Sequence, residues 1–289
     1  MSGPEIVKLL ITVSILLLVF ALGLRATFAD ATSFFRQFLR PPNRLPRALI
    51  AMYVIVPVVA VILAMTMDLA GPVRAALLAM AVAPIPPILP GKQLKFGGKT
   101  DYVFGLLVAV SLAAVVIVPL GVYALGLVFG REASFGSGDI AKLIATTILV
   151  PLILGLVVRH LAPGVAERMA PWASRLGNVL LLAALVPVLI KAWPAVASLV
   201  GNRSILAIAT MIGVALFAGH MLGGPDPDER STLAIASAMR HPGVALAVAT
   251  ANAPDEPGLG AAVLLYVLVA AIATSLYGIY WTRRRTRAA

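Results

Sequence analysis

The sequence predicts an all-α polytopic membrane protein of nine transmembrane helices, arranged as an inverted repeat of four spans, one span and four spans. Three observations predict it: an apolar composition, a set of apolar runs whose flanking charges alternate, and a self-match at a single offset. Hydrophobic residues make up 61% of the 289 and charged residues 12%, with a mean hydropathy of +1.00. Soluble domains are roughly half apolar and a quarter charged. The net charge of +11 does not point to nucleic acid, because the basic residues sit in short loops between apolar runs and not on one face beside base-reading groups. With no cysteine, disulfides, thiol nucleophiles and thiolate metal sites are excluded.

A spanning helix needs about 20 mostly apolar residues. Nine runs meet that length: 5–24, 47–67, 71–89, 102–127, 139–158, 176–197, 203–222, 231–252 and 258–281. Short cytoplasmic loops collect Lys and Arg, and an N-terminus outside gives that pattern. The inside segments then hold Arg25, Arg36, Arg40, Arg44 and Arg47, then Lys92, Lys95 and Lys99, then Arg159, Arg168 and Arg175, then Arg230, then Arg283, Arg284, Arg285 and Arg287. Lys8, Arg74, Arg131, Lys142, Lys191 and Arg203 lie outside or near outer ends, and Arg240 remains in the membrane. The C-terminus is therefore expected to be cytoplasmic. Arginine outnumbers lysine 17 to 6 in a chain rich in Ala, Gly and Pro, which suggests a bacterial inner membrane.

The first run also fits a cleavable signal peptide, with Lys8, the apolar stretch from Leu9 to Leu24 and Ala-Asp-Ala at 29–31. The spanning reading is preferred because the run is long, Arg25 follows it directly and the repeat needs the helix. Whether residues 1–25 are ever cleaved stays open. Residues 28–40 set Phe28, Phe34, Phe35, Phe38 and Leu39 among Arg36 and Arg40, which suits a short interfacial helix or an aromatic-anchored loop.

A shift of 156 residues lays the run from Arg47 on the run from Arg203. The same shift lays Ala-Leu-Leu-Ala after Arg74 on its counterpart after Arg230, and Pro86 on Pro242. It pairs the second span with the seventh and the third with the eighth. Paired spans are five apart, an odd number, so they cross in opposite directions. Residues 1–127 form the first repeat, 128–175 the unpaired fifth span with its cytoplasmic loop, and 176–289 the second repeat.

Inverted repeats with matching interrupted helices are a signature of secondary transporters, whose site lies at the breaks. In the third span Pro84, Pro86, Pro87 and Pro90 precede Gly91; in the eighth, Pro242 and Gly243 follow Arg240 and His241. Each interior proline removes a backbone hydrogen bond, and unwound backbone at membrane depth must be buried in protein or line a wet cavity. Arg240 lies roughly 14 Å into its span at 1.5 Å per residue. A charge at that depth costs at least about 2.5–3.5 kcal/mol on insertion scales. Arg240 has three readings: a ligand for an anionic substrate such as a carboxylate, a fixed cation in an inorganic cation's place, or a structural partner for carbonyls at the opposite break. His241 titrates near neutrality or hydrogen-bonds the broken backbone. Ser111, Thr250 and Asn252 are further candidate polar contacts, or packing groups. Lys191 and His220 lie near span ends, where snorkelling explains them.

The stretch 21–63, "ALGLRATFADATSFFRQFLRPPNRLPRALIAMYVIVPVVAVIL", and the stretch 238–252, "AMRHPGVALAVATAN", resemble the bile acid:sodium symporter family, a broad group of organic-anion transporters. The resemblance covers nearly the whole chain. It implies two crossing broken helices and a nine-helix member, with the first, fifth and sixth spans forming a panel domain and the rest a core. It also implies alternating access by rigid-body motion about the crossing at Pro86 and Pro242. Sodium-coupled members carry a glutamate and a glutamine four residues apart in the second broken helix. Here those positions hold Ala236 and Arg240, so the usual sodium site is expected to be absent, with transport coupled to protons or uncoupled.

The expected function is therefore a secondary transporter or symporter of a small organic anion, a carboxylate or amphipathic acid, needing no cofactor. A sodium-coupled symporter with a rearranged ion site is the alternative within the family. An intramembrane enzyme would need paired carboxylates, a His/Glu metal set or a nucleophile with its base. The acidic residues Asp68, Asp101, Asp139, Asp226, Asp228, Asp255 and Glu256 instead lie at span ends or in loops. A cation/proton antiporter would place a carboxylate at the midplane, and no span has one. A non-transporting sensor stays open, as do substrate identity, direction and oligomeric state.

Overall fold

The structure, a computed structural model, describes residues 3–36, 43–86, 88–130, 145–201 and 203–288, together with 138 and 142. Among them every regular element is a helix: α1 Gly3–Gly23, α2 Phe28–Arg36, α3 Arg44–Thr66, α4 Gly71–Val82, α5 Leu89–Lys95, α6 Thr100–Phe129, α7 Ala145–Leu161, α8 Pro163–Ser198, α9 Ser204–Leu222, α10 Pro227–Ala238, α11 Pro242–Asn252 and α12 Leu259–Ala288. Seven helices are long and apolar enough to cross a membrane, counting α10 and α11 as one, and α4 and α7 are shorter apolar helices. Each expected run overlaps one of these. The start of the run 139–158, the side chains of Lys8, Phe34, Phe35 and Arg36, and Phe38, Leu39 and Arg40 lie outside the described residues.

Local chemistry sets the boundaries. Thr27 opens α2 with a reciprocal cap, its hydroxyl accepting from the Asp30 N–H at 3.1 Å while the Asp30 carboxylate accepts from the Thr27 N–H at 2.9 Å. Pro57 and Pro151 each stand two residues after a π-helical turn, at Ala51–Ile55 and Ala145–Leu149. The wider turn accommodates a ring that would otherwise press on the carbonyl four residues back. Asp226 accepts from the Asp228 N–H and starts α10 ahead of Pro227, four residues before the apolar run begins. The sixth run likewise starts later than its helix: α8 begins at Pro163 and runs 36 residues, about 54 Å. The polar turn around Glu167, Arg168 and Arg175 is as helical as the apolar part, and hydropathy sees only the latter. Offset by 156 residues, the end of α3 at Thr66 meets the end of α9 at Leu222, and α4 at Gly71–Val82 meets α10 at Pro227–Ala238.

Small residues let the helices touch. α1 meets α7 where Gly23 and Gly155 lie backbone to backbone; a Cβ on Gly155 would stand 2.4 Å from the Phe20 carbonyl. α1 also meets α8 at Gly177, against Leu18. Elsewhere α9 presses Gly219 on Leu233 and Ala234 of α10, and α6 brings Gly121 to Val82 at the end of α4. Arg44 pairs with Asp101 at 3.4 Å and with the buried Glu229, and Lys99 pairs with Asp226.

Candidate functional site

Proline places both breaks. Ala83, which precedes Pro84, is extended at φ −65 and ψ 148, because a proline ring crowds the residue before it out of the helical region. His241 precedes Pro242 and is extended for the same reason, at φ −73 and ψ 105. The chain resumes as α5 after the Leu89 N–H donates to the Pro86 carbonyl at 3.0 Å. The breaks meet: the His241 N–H donates to the Pro84 carbonyl at 2.7 Å. His241 also caps α11, its Nδ1 accepting from the Gly243 and Val244 N–H groups at 3.2 and 3.3 Å. That bonding assigns the ring proton to Nε2, which is buried without a partner.

Arg240 lies at this contact, 2% exposed. Its Nη2 donates to the Met52 carbonyl in the first π turn at 2.6 Å, and its Nη1 to the Ala83 carbonyl at 3.2 Å. The Tyr53 ring lies under the guanidinium at 5.7 Å. None of the ion pairs among the described residues includes Arg240. Its charge is instead met by carbonyl dipoles. α4 and α10 both end at the breaks, and the C-terminal end of a helix carries about half a negative charge. Arg240 Nε, Tyr53 Oη and Ser237 Oγ are each buried without a hydrogen-bond partner.

Of the other candidate residues, Pro86 is buried at the first break, Pro242 opens α11 with Gly243, and Pro87 lies outside the described residues. Ser111 is fully buried in α6 and its hydroxyl has no partner. Thr250 is exposed and its hydroxyl bonds back to the Leu246 carbonyl, while Asn252 Nδ2 donates to the Val248 carbonyl at 2.9 Å. These two stand at the far end of α11, away from the break. Ala236 is fully buried in α10.

Three contacts escape a reading by residue type. Lys92, counted as a loop charge, donates to the Ala271 carbonyl at 3.1 Å and to Thr274 Oγ1 at 2.6 Å, tying α5 to α12. Gln93 ties α5 to α10 by donating to the Thr232 carbonyl at 2.9 Å. Tyr266 donates to the last carbonyl of α10, at Ala238, at 3.1 Å. The half-helices next to the breaks are thus fastened to their neighbours by polar bonds.

No curated protein matches the chain. A family model, that of the sodium bile acid symporter family, matches residues 12–219 and so takes in the first break but stops before α10 and Arg240. Several apolar helices, two interrupted helices in contact and a match over more than two thirds of the 289 residues agree: this is a multi-pass membrane protein that belongs to the sodium bile acid symporter family, a family of transporters.

Proposed function

We propose that the protein is a secondary transporter of an organic anion, a carboxylate or amphipathic acid, that works by alternating access without the family's usual sodium site. The observation that carries this is the Arg240 guanidinium, bonded to the Met52 and Ala83 carbonyls where two helix C-termini converge. Such a place attracts a cation. A guanidinium that is always charged fills it permanently, and Ala236 supplies no carboxylate to hold a second positive charge. The spare donors at Arg240 Nε and His241 Nε2 suit a crossing past which an anion moves.

In this reading the chain crosses the membrane nine times with its N-terminus outside. It forms a four, one, four inverted repeat, supported by helix ends that coincide at the 156-residue offset. α1, α7 and α8 form a panel; the remaining helices form a core that Lys92, Gln93 and Arg240 hold as one body. The core moves against the panel, and Arg240 keeps the two breaks together while it does.

Thermal unfolding of the purified protein against a panel of small and amphipathic organic acids, in sodium and in potassium chloride at equal ionic strength, tests this. A ligand that binds the folded state raises the midpoint by mass action. At least one acid should do so equally in both salts. Stabilisation by acids that requires sodium would overturn the proposal.

A further inference from the structure

α4 and α11 both extend between the crossing and the end of the molecule that the Lys/Arg bias puts outside, α4 ending at the crossing and α11 beginning there. Between them and the second half of α6 lies a cavity of about 260 Å³. Its floor, made by Leu78, Ala79, Val122 and Val248, is apolar, and its mouth carries Arg74, Asn252 and Glu256. Arg74 is exposed and enters none of the ion pairs among the described residues; it makes only a long hydrogen bond, 3.5 Å, to the Leu69 carbonyl. Glu256 lines the same cavity. A Cβ on Gly71 would stand 2.2 Å from its Oε2, so the carboxylate lies on the first turn of α4, whose positive dipole end offsets it. An apolar floor under one uncommitted cation is the complement of a small amphipathic carboxylate. The volume falls just below the ~300–1,000 Å³ of drug-sized pockets, which suits a single-ring or short-chain acid.

The 156-residue offset locates the related place at the opposite end, between α10, α5 and α12, and there it is filled. Asn252 corresponds to Phe96 and Val122 to Gly278, and the Phe96 ring comes within 2.6 Å of where a Cβ on Gly278 would be. Val248 and Ala249 correspond to Lys92 and Gln93, which are bonded to Ala271, Thr274 and Thr232. Leu125 corresponds to Trp281, whose indole donates to the Pro227 carbonyl at 3.3 Å. One of two related places is open and the other is plugged.

We propose that the cavity between α4, α6 and α11 is an outward-facing binding site for a small amphipathic organic anion, with Arg74 as its cationic ligand and Asn252 as a hydrogen-bond partner, while Phe96 shuts the related inward place. This rests on the transporter reading and its orientation.

The chain has no cysteine, so a single Ala75→Cys on the cavity wall can be read directly. Right-side-out vesicles would be treated with two impermeant methanethiosulfonates, one bearing a sulfonate and one a trimethylammonium group, each rate taken relative to a free thiol. The sulfonate reagent should react faster, and benzoate should slow it. Adding Arg74→Gln should lower the sulfonate-to-ammonium ratio about tenfold, as expected when a full charge leaves a partly wet site. Ser231→Cys, at the related position, should stay unreactive in inside-out vesicles. Where Ala75→Cys fails to fold, Leu78→Cys gives the same readout. A cavity cysteine that reacts with neither reagent, a preference for the ammonium reagent, a ratio unmoved by Arg74→Gln, or a reactive Ser231→Cys would each overturn the proposal. Labelling is independent of transport and of sodium, so this test and the test of function fail separately.

Discussion

Replacing Arg240 with methionine keeps most of the side-chain volume and removes the charge and both donors. The Met52 and Ala83 carbonyls then lose their charge-assisted bonds, worth about 1.5–3 kcal/mol each, or about 3–6 kcal/mol together. Part of that returns, because burying an ion costs several kcal/mol even after relaxation and the methionine carries no such cost. The net loss is expected to be about 2–4 kcal/mol. For a chain of this size, about 2–4 °C per kcal/mol makes that roughly 5–15 °C. Melting in detergent is a rate-dependent midpoint, so wild type and variant would be compared at one scan rate. Arg240→Lys keeps the charge but loses the planar fork that spans two carbonyls, and should fall between the two. An Arg240→Met protein that melts within about a degree of wild type would refute the reasoning, since the guanidinium would then not be holding the breaks together.

Three further outcomes are expected. Gly155→Leu should lower the melting midpoint or the folded yield sharply, because its Cβ alone would stand 2.4 Å from the Phe20 carbonyl and overpacking costs about 1–3 kcal/mol or more; a normal midpoint would show that α1 and α7 are not in backbone contact. His241→Ala removes the cap of α11 and should cost about 0.5–2 kcal/mol, with His241→Asn recovering most of it; equal midpoints for both variants would contradict a capping role. Before α10 begins, burial raises the Asp226 carboxyl, but bonds from Lys99 and from the backbone N–H groups of Asp228 and Glu229 outweigh it and hold the group below its usual range. The bond to Asp226 holds the Lys99 ammonium above its own range. A depressed carboxyl contributes stability above its unfolded value and loses it as pH falls through the folded one; a raised ammonium contributes below its unfolded value and loses it as pH rises through the folded one. The midpoint difference between wild type and Asp226→Asn should therefore be flat through neutral pH, close in acid as the carboxylate protonates, and narrow again only at strongly alkaline pH as the Lys99 ammonium loses its proton. A difference that changes between about pH 6 and pH 8 would contradict this.

What the sequence made legible followed from local chemistry. Pro84, Pro86 and Pro242 announce the breaks because a proline acts on its own turn, and Arg240 stands out because charge at that depth is costly. What Arg240 touches was not legible. Its partners are backbone carbonyls, one of them 188 residues away in sequence, and a carbonyl carries no residue-type signature. Pro57 was visible, yet the π turn that presents the Met52 carbonyl is a response of the backbone and not a composition. Lys92 and Arg74 both looked like loop charges, and only packing separates one fastened to α12 from one left at the mouth of a cavity. The extension of α8 back to Pro163 was hidden because hydropathy registers where lipid begins, not where a helix does.

In the proposed reading the Arg240 guanidinium stands where sodium-coupled transporters of the family hold an inorganic cation. The most direct test is equilibrium binding of radioactive sodium to the purified protein, with Arg240→Gln alongside. The wild-type protein should show no saturable sodium binding. Saturable binding by the wild type that persists unchanged in Arg240→Gln would contradict this reading.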